Sequence, residues 1–225
     1  MIHHLLSEHL LFLRQFRDRF HTTGAIAPSS RWLASALARQ VRSRADRERP
    51  AEILEVGPGT GAITDTLVRE IAPHDRLTLV ELNDHFVEHL RGRFEREPHW
   101  RAVADRTRIL HQPVEEFPHE VHFDHIVSGL PLNNFSVELV ERILATFERL
   151  LAPGGTLSFF EYFAVRSLRC RVGPSDDRQR LSGVARAVDG WYERDGIGRD
   201  LVWLNLPPAW AVHIRKPPDG CSAGA

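Results

Sequence analysis

Apolar and polar positions change rhythm twice along this chain. Between Ile2 and Phe20 the apolar residues Ile2, Leu5, Leu6, Leu10, Leu13, Phe16 and Phe20 recur at spacings of three and four, with Ser7, Glu8, Arg14, Arg17 and Asp18 mostly between them. That period predicts an amphipathic helix over residues 2–20, and Leu11 and Phe12 widen its apolar face beyond what a helix resting on one small domain requires. A breaker run follows, Thr23-Gly24-Ala25-Ile26-Ala27-Pro28-Ser29-Ser30, in which Ser29 or Ser30 is placed to cap a second helix carrying Trp32, Leu33, Leu37 and Val41. Polar residues 42–50 read as a linker.

Beyond the linker the pattern becomes short apolar runs alternating with helical periods. The strand carrying Ile53-Leu54 leads to a helix over 61–72, and the strand 76–82 to a helix over 84–97. Strands at 107–111 and 123–127 precede a helix over 137–151, with Ser136 as its cap. The turn Pro153-Gly154-Gly155 opens a strand at 156–160, and 175–194 reads as a helix with Leu181, Val184, Val188 and Trp191 inward. Two last runs, 201–204 and 209–214, flank Asn205-Leu206-Pro207-Pro208 and read as an antiparallel pair closing the sheet. Alternation at this spacing predicts an α/β fold, a mostly parallel sheet with helices on both faces. The chain divides into N-terminal helices (1–48), a core (49–216) and a tail expected to be disordered (217–225).

The first strand carries the candidate chemistry. Ile53-Leu54-Glu55-Val56-Gly57-Pro58-Gly59-Thr60-Gly61 is an apolar strand running into a loop with glycine at every second position. Glycine lets a backbone turn tightly and approach a ligand, and the helix behind it presents unpaired N–H groups. The next strand ends in Glu81, placed to grip ribose hydroxyls with both oxygens. These residues predict an adenosine-bearing cofactor. The spacing of Gly57, Gly59 and Ala62 also satisfies the looser dinucleotide pattern, so a nicotinamide cofactor remains open at this point.

Composition narrows the partners. Net charge is −1, but it is unevenly spread. Residues 1–49 carry nine arginines against four acids, residues 50–161 ten against nineteen, and residues 162–225 nine arginines and Lys216 against seven. Basic ends around an acidic middle suggest an anionic partner met by the termini. Cys170 and Cys221 follow no disulfide pattern and point to a reducing cytosol. The thirteen histidines lack the companions of a metal site, and no apolar run approaches the roughly 20 residues that span a bilayer.

In open parallel sheets ligands bind beyond the carboxyl ends of the strands. Those ends are Gly57 to Gly61, then Glu81-Leu82-Asn83, Gln112-Pro113-Val114, Ser128-Gly129-Leu130-Pro131 and Glu161-Tyr162. The string Glu55-x-Gly57-x-Gly59-x-Gly61 resembles motif I of the class I S-adenosylmethionine-dependent methyltransferases. That resemblance implies a Rossmann-like, seven-stranded sheet. It also implies S-adenosylmethionine as cofactor, with Glu55 towards the methionine end and Gln112 accepting from the adenine amino group. Leu82, Pro113, Ser128 and Gly129 complete the implied cofactor set.

Gly24-Ala25-Ile26-Ala27-Pro28-Ser29-Ser30, motif I, Ser128-Gly129-Leu130-Pro131-Leu132-Asn133-Asn134-Phe135, Phe160-Glu161-Tyr162 and Asn205-Leu206-Pro207-Pro208-Ala209 together resemble the bacterial phospholipid N-methyltransferases. Such enzymes carry phosphatidylethanolamine through its mono- and dimethyl forms towards phosphatidylcholine. Nucleobase amino-methyltransferases place a polar side chain and an aromatic ring where Gly129 and Leu132 stand, so a tetrahedral aliphatic amine is favoured over a flipped base. The resemblance implies that Ser128, Gly129 and Asn133 orient the amine and that Tyr162 accepts or relays its proton. Phe135 and Tyr162 are expected to face the methylammonium products. Ile26, Ser29, Leu130, Pro131 and Asn134 are expected to line the acceptor site. Helix 2–20 is expected at the interface of an anionic, phosphatidylethanolamine-bearing membrane, or folded over the sheet as a lid; the protein is then cytoplasmic and peripheral, with no nucleic acid and no obligate protein partner. The alternatives are a methyltransferase of a soluble amine, a relative of the rRNA adenine dimethyltransferases, and a cofactor-binding protein whose first helix recruits a partner.

Overall fold

The computed structural model describes residues 29–162 and 175–218. Helix 2–20, the Gly24 to Pro28 run, Ile26 and most of the tail lie outside them.

Helix α1 (Arg31–Leu37) begins at Ser30, whose hydroxyl accepts from the Leu33 N–H at 3.2 Å, and continues after Ala38 into the single turn α2 (Arg39–Arg42). The core then runs β1 (Glu52–Val56), α3 (Ala62–Glu70), β2 (Arg76–Glu81), α4 (Asp84–Arg96), α5 (Pro98–Arg101), β3 (Thr107–His111) and β4 (Phe123–Ser128). It closes with α6 (Val137–Leu150), β5 (Leu151–Tyr162), α7 (Ser175–Asp195), β6 (Gly196–Val202) and β7 (Ala209–Arg215). Ser136 caps α6, accepting from the Leu139 N–H at 3.3 Å.

The seven strands form one sheet in the order β3-β2-β1-β4-β5-β7-β6, parallel except for β7, which runs antiparallel to both neighbours. The chain therefore reverses direction of travel across the sheet between β1 and β4, the place where an open α/β sheet leaves a crevice. Strand alternation sorts the core into two halves. Leu54 and Val56 pack with Leu139, Val140, Ile143 and Phe147 of α6 and Val184 and Val188 of α7. Ile53 packs on the opposite face with Leu33 and Leu37 of α1, Ile63 and Leu67 of α3, and Trp100.

Two elements depart from the sequence pattern. The fifth strand is longer than 156–160, because Gly154, at φ +77°, bends the chain without ending its pairing. The sixth strand begins at Gly196 and ends at Val202, so Trp203 and Leu204 stand in the turn and not in a strand. Their apolar character misled the pattern: both are exposed.

Ser158, His213 and Asp200 form a chain of hydrogen bonds, with Ser158 Oγ 2.8 Å from His213 Nδ1 and His213 Nε2 3.3 Å from Asp200. The order resembles a hydrolytic triad, but Ser158 is buried in the middle of the sheet, where no acyl group reaches it. Arg39 closes the chain on Asp200 at 2.6 Å and ties α2 to β6.

Candidate functional site

Three glycines of the first loop adopt left-handed backbone: Gly57 at φ +69°, Gly59 at +55° and Gly61 at +82°. Each is required for a different reason. A β-carbon on Gly57 would lie 2.6 Å from Leu130 Cδ2, and one on Gly61 2.5 Å from the Trp100 ring. One on Gly59 would meet nothing within 4 Å. Gly59 therefore lines open space, the room a cofactor backbone contact needs.

Loop and neighbouring strands are knitted by main-chain bonds: Gly57 N–H donates to Val80 at 2.9 Å, and Gly129 N–H to Val56 at 2.8 Å. At Gly129 a β-carbon would lie 2.5 Å from the Gly57 carbonyl oxygen. The missing side chain at the fourth strand end thus has a packing cause in addition to any role in acceptor choice. The end of β4 must pass against the glycine loop.

Glu55 is fully buried below the loop. Thr64 Oγ1 of α3 donates to its Oε2 at 2.7 Å, while Oε1 is buried with no hydrogen-bond partner. Burial, with Glu81 nearby, pushes its carboxyl up to about 8. A buried acid holding one idle oxygen suits a ligand with a cationic end.

Glu81 corrects the expected two-oxygen grip. Its Oε1 accepts from the N–H groups of Leu82 (2.8 Å) and Asn83 (2.9 Å), and Oε2 from Gly59 (3.0 Å). A carboxylate offers about four acceptor directions, which leaves one, at Oε2, for a ribose hydroxyl. The acid is as much a brace for the glycine loop as a ligand. Burial raises its carboxyl above the ordinary range. Leu82, Gln112 and Pro113 are half-buried at the adjoining strand ends.

The fourth strand end folds as a compact turn. Ser128 Oγ accepts from the Leu130 N–H at 3.3 Å, and Asn134 N–H donates to Pro131 at 2.9 Å. Asn133 and Phe135 are buried, whereas Gly129, Leu130, Pro131 and Asn134 are partly open. Arg180 of α7 grips this turn from behind, donating through one nitrogen to the carbonyls of Asn133 (2.7 Å) and Phe135 (3.0 Å).

Phe135 and Tyr162, both expected to face the methylammonium products, lie on opposite faces of the sheet. Phe135 belongs to the core half under α6, while Tyr162 packs edge-on against Phe160, 5.1 Å between ring centres, in the other half. The sheet separates the two rings. Burial also raises the Tyr162 hydroxyl above its usual value, which works against a phenolate proton acceptor. By strand alternation it is the buried Glu161, following Phe159, that lies on the Phe135 face. Ser29 is half-buried, and the next residue ties the N-terminal segment to the closing turn: the Ser30 N–H donates to Asn205 Oδ1 at 3.0 Å.

Arg93, Trp100, Thr64 and Arg180 escaped the sequence reading, and Asn205 entered it only as part of the closing motif. Thr64 alone carried a signal, one turn into the helix behind the glycines and able to reach Glu55. The arginines are lost among many others, and their partners are main-chain oxygens, which leave no pattern. Among the described residues no group of three or more His, Cys, Asp or Glu is arranged to hold a metal, and no helix is long and apolar enough to cross a membrane.

A family model described as a methyltransferase domain matches residues 53–155, from the first strand through the fourth-strand turn to Gly155. An ornithine lipid N-methyltransferase of Singulisphaera acidiphila is 30% identical over 153 residues, 68% of this chain and 77% of that protein. A mitochondrial ribosomal RNA small subunit methyltransferase of Arabidopsis thaliana is 30% identical over 157 residues, but the chain spans only 38% of its length. The solved O-methyltransferase TomG of Streptomyces achromogenes, in complex with SAM, shares the fold with a TM-score of 0.60 at 18% identity, over 94% of this chain and 89% of that one. The left-handed glycine loop, the idle oxygen of Glu55 and the spare acceptor of Glu81 fit S-adenosylmethionine, whose methionine half is cationic at its ammonium and sulfonium and whose adenosine half carries a ribose diol. The chain belongs to the class I S-adenosylmethionine-dependent methyltransferase family.

Proposed function

We propose that this methyltransferase acts on the aliphatic amine of a membrane lipid, phosphatidylethanolamine and its mono- and dimethyl forms. One observation carries the reading. At the fourth strand end Gly129 has no room for a side chain, and Leu130 fills the space above Gly57. The loop thus offers an apolar wall and main-chain groups where a planar base amine would need a side-chain acceptor. A tetrahedral amine on a greasy substrate suits that surface. The lipid N-methyltransferase among the relatives supports the same acceptor chemistry.

S-adenosylmethionine supplies a methyl group already activated on a cationic sulfur. The protein's work is then to hold the donor, align the amine, keep water out and deal with one proton. Glu55, Gly57, Gly59, Gly61, Glu81, Leu82, Gln112, Pro113, Ser128 and Gly129 hold the cofactor in this reading. Ser128 and Asn133 orient the amine, and Leu130, Pro131, Asn134 and Phe135 flank its lipid. The amine attacks as its neutral form, so its ammonium proton leaves first. A second proton leaves the new ammonium before the next methylation. Tyr162 serves this scheme as packing for Phe160, not as the proton acceptor.

A second reading has a specific support: the Singulisphaera relative is named for ornithine lipid, which also carries an aliphatic amine. Incubating the purified chain with labelled S-adenosylmethionine and, separately, phosphatidylethanolamine, ornithine lipid and free ethanolamine distinguishes them. Label in phosphatidylethanolamine is expected. Label only in ornithine lipid replaces the substrate, and label only in the soluble amine removes the lipid from the proposal.

A further inference from the structure

Five large apolar side chains among the described residues are exposed, and three of them occupy one turn. Trp203, Leu204 and Leu206, in the β6–β7 turn, are 65%, 68% and 78% exposed. The turn is held out by its own base: Asn205, buried between the leucines, donates to the Pro207 carbonyl at 2.8 Å and accepts from Ser30. Its outward apolar residues are therefore presented by a fixed frame. A fourth exposed ring, Trp32, stands in α1 two residues beyond Ser30.

Position gives the turn its meaning. Tyr162, the carboxyl end of β5, pairs with Ala209, which pairs in turn with Val202. The turn thus projects from the carboxyl edge of the sheet, the same edge that carries the glycine loop and the fourth-strand turn. Charge nearby is positive. The exposed Arg31 has its guanidinium 4.8 Å from the Trp32 ring.

We propose that the β6–β7 turn dips Trp203, Leu204 and Leu206 into the surface of an anionic phospholipid bilayer, with the exposed Arg31 beside it meeting the headgroups. Indole rings settle at the boundary between headgroup and acyl chain, and neighbouring leucines enter the acyl region. Basic residues add attraction to anionic lipid that salt screens. The proposal rests on the lipid-substrate reading, for it sets the mouth of the acceptor site against the membrane that holds the substrate. It assigns membrane contact to the catalytic domain itself.

The test is flotation of the full chain with vesicles of phosphatidylethanolamine and phosphatidylglycerol, beside the double variant Leu204→Asp, Leu206→Asp. Both positions are solvent-facing, so folding and S-adenosylmethionine affinity are expected to be unchanged. The parent should float and its binding should weaken as salt rises; the variant should bind at least tenfold more weakly. Trp203 fluorescence should shift to the blue on adding vesicles, and that shift should vanish in Trp203→Phe. Equal flotation of parent and variant, no flotation of the parent, or no blue shift overturns the proposal. So does a dimer that the aspartates dissociate while vesicle binding stays intact, which would give the turn to a second copy. Methyl transfer to a short-chain, monomeric phosphatidylethanolamine reads the acceptor separately. Its absence beside variant-sensitive flotation sinks the substrate reading alone, and its presence beside equal flotation sinks this inference alone.

Discussion

The guanidinium of Arg93 lies 3.9 Å above the ring of Trp100 and points one nitrogen at the glycine loop. That nitrogen donates to the Thr60 carbonyl at 3.1 Å and to Gly61 at 3.2 Å, while the others pair with Glu97 and Asp65. Trp100 in turn donates to Asp65 at 3.0 Å. A loop whose glycines give it freedom is thus held from outside by a stacked, hydrogen-bonded cation on α4. Replacing Arg93 by alanine removes the two donors and the stacking together. The expected costs are about 2–3 kcal/mol of stability and a roughly tenfold weaker hold on S-adenosylmethionine, about 1.4 kcal/mol. Calorimetric titration and thermal melts read both; an affinity equal to the parent's removes Arg93 from the site's support.

Two glycine substitutions separate packing from ligand contact. Gly129→Ala drives a β-carbon against the Gly57 carbonyl and forces β1 and β4 apart at their ends, so it should cost about 1–3 kcal/mol and abolish cofactor binding together. Gly59→Ala meets no protein atom and pays only for its left-handed backbone, about 1–2 kcal/mol. If the open space there receives the cofactor, this variant stays folded and loses S-adenosylmethionine. Retained affinity in a folded Gly59→Ala protein would place the cofactor elsewhere.

The alternation of strands and helices was legible because each buried strand is a short apolar run and each helix shows one apolar face. The pattern failed where apolar residues stand outside the core, as the exposed Trp203 and Leu204 do. For the site, Glu55, Glu81 and the glycines stood out because their chemistry depends on residue type. What Glu81 does with its oxygens, and which face of the sheet Tyr162 takes, depend on register and on main-chain donors that no spacing records. Tyr162→Phe follows from that lesson: turnover and the distribution of mono-, di- and trimethyl products should match the parent within about twofold, well under the 10²–10⁴-fold typical of a lost acid or base. A drop of that larger size would restore the hydroxyl to the chemistry.

Arg180 should act on the acceptor side alone. Its nitrogen holds the carbonyls of Asn133 and Phe135, and those residues belong to the turn proposed to orient the amine. Arg180→Met leaves two carbonyls without a charged donor, a loss of about 1.5–3 kcal/mol for such bonds. The expected outcome is a rise of about tenfold in the KM for the lipid amine, with S-adenosylmethionine affinity unchanged. Arg180→Lys, able to reach one carbonyl, should recover part of it. Equal loss of cofactor affinity would mean that the clamp serves the whole crevice.

Glu55 makes cofactor binding a function of pH. Burial holds its carboxyl at about 8, so below that pH the free protein keeps the proton. A cationic ligand end close to the idle Oε1 favours the ionised form, lowers the carboxyl's pKa in the complex and expels the proton. Affinity for S-adenosylmethionine should therefore climb as pH rises towards 8 and level off above it. At pH 7 titrations in buffers of different ionisation enthalpy should report proton release. The contribution of Glu55 to the stability of the free protein runs the other way. The unfolded carboxyl ionises near its ordinary value, so between that value and about 8 the folded state holds a proton on Glu55 that the unfolded chain has lost, and this group's contribution falls as pH rises; below the ordinary histidine value the buried His125 and His213, which resist protonation, act in the opposite sense. Glu55→Gln removes the climb of affinity towards pH 8 and this group's share of the stability slope. It should raise the free protein's Tm at pH 8 by roughly 4–8 °C, the counterpart of about 2 kcal/mol, while weakening the cofactor. A Glu55→Gln protein with the parent's pH profile for binding would show that the proton comes from another group.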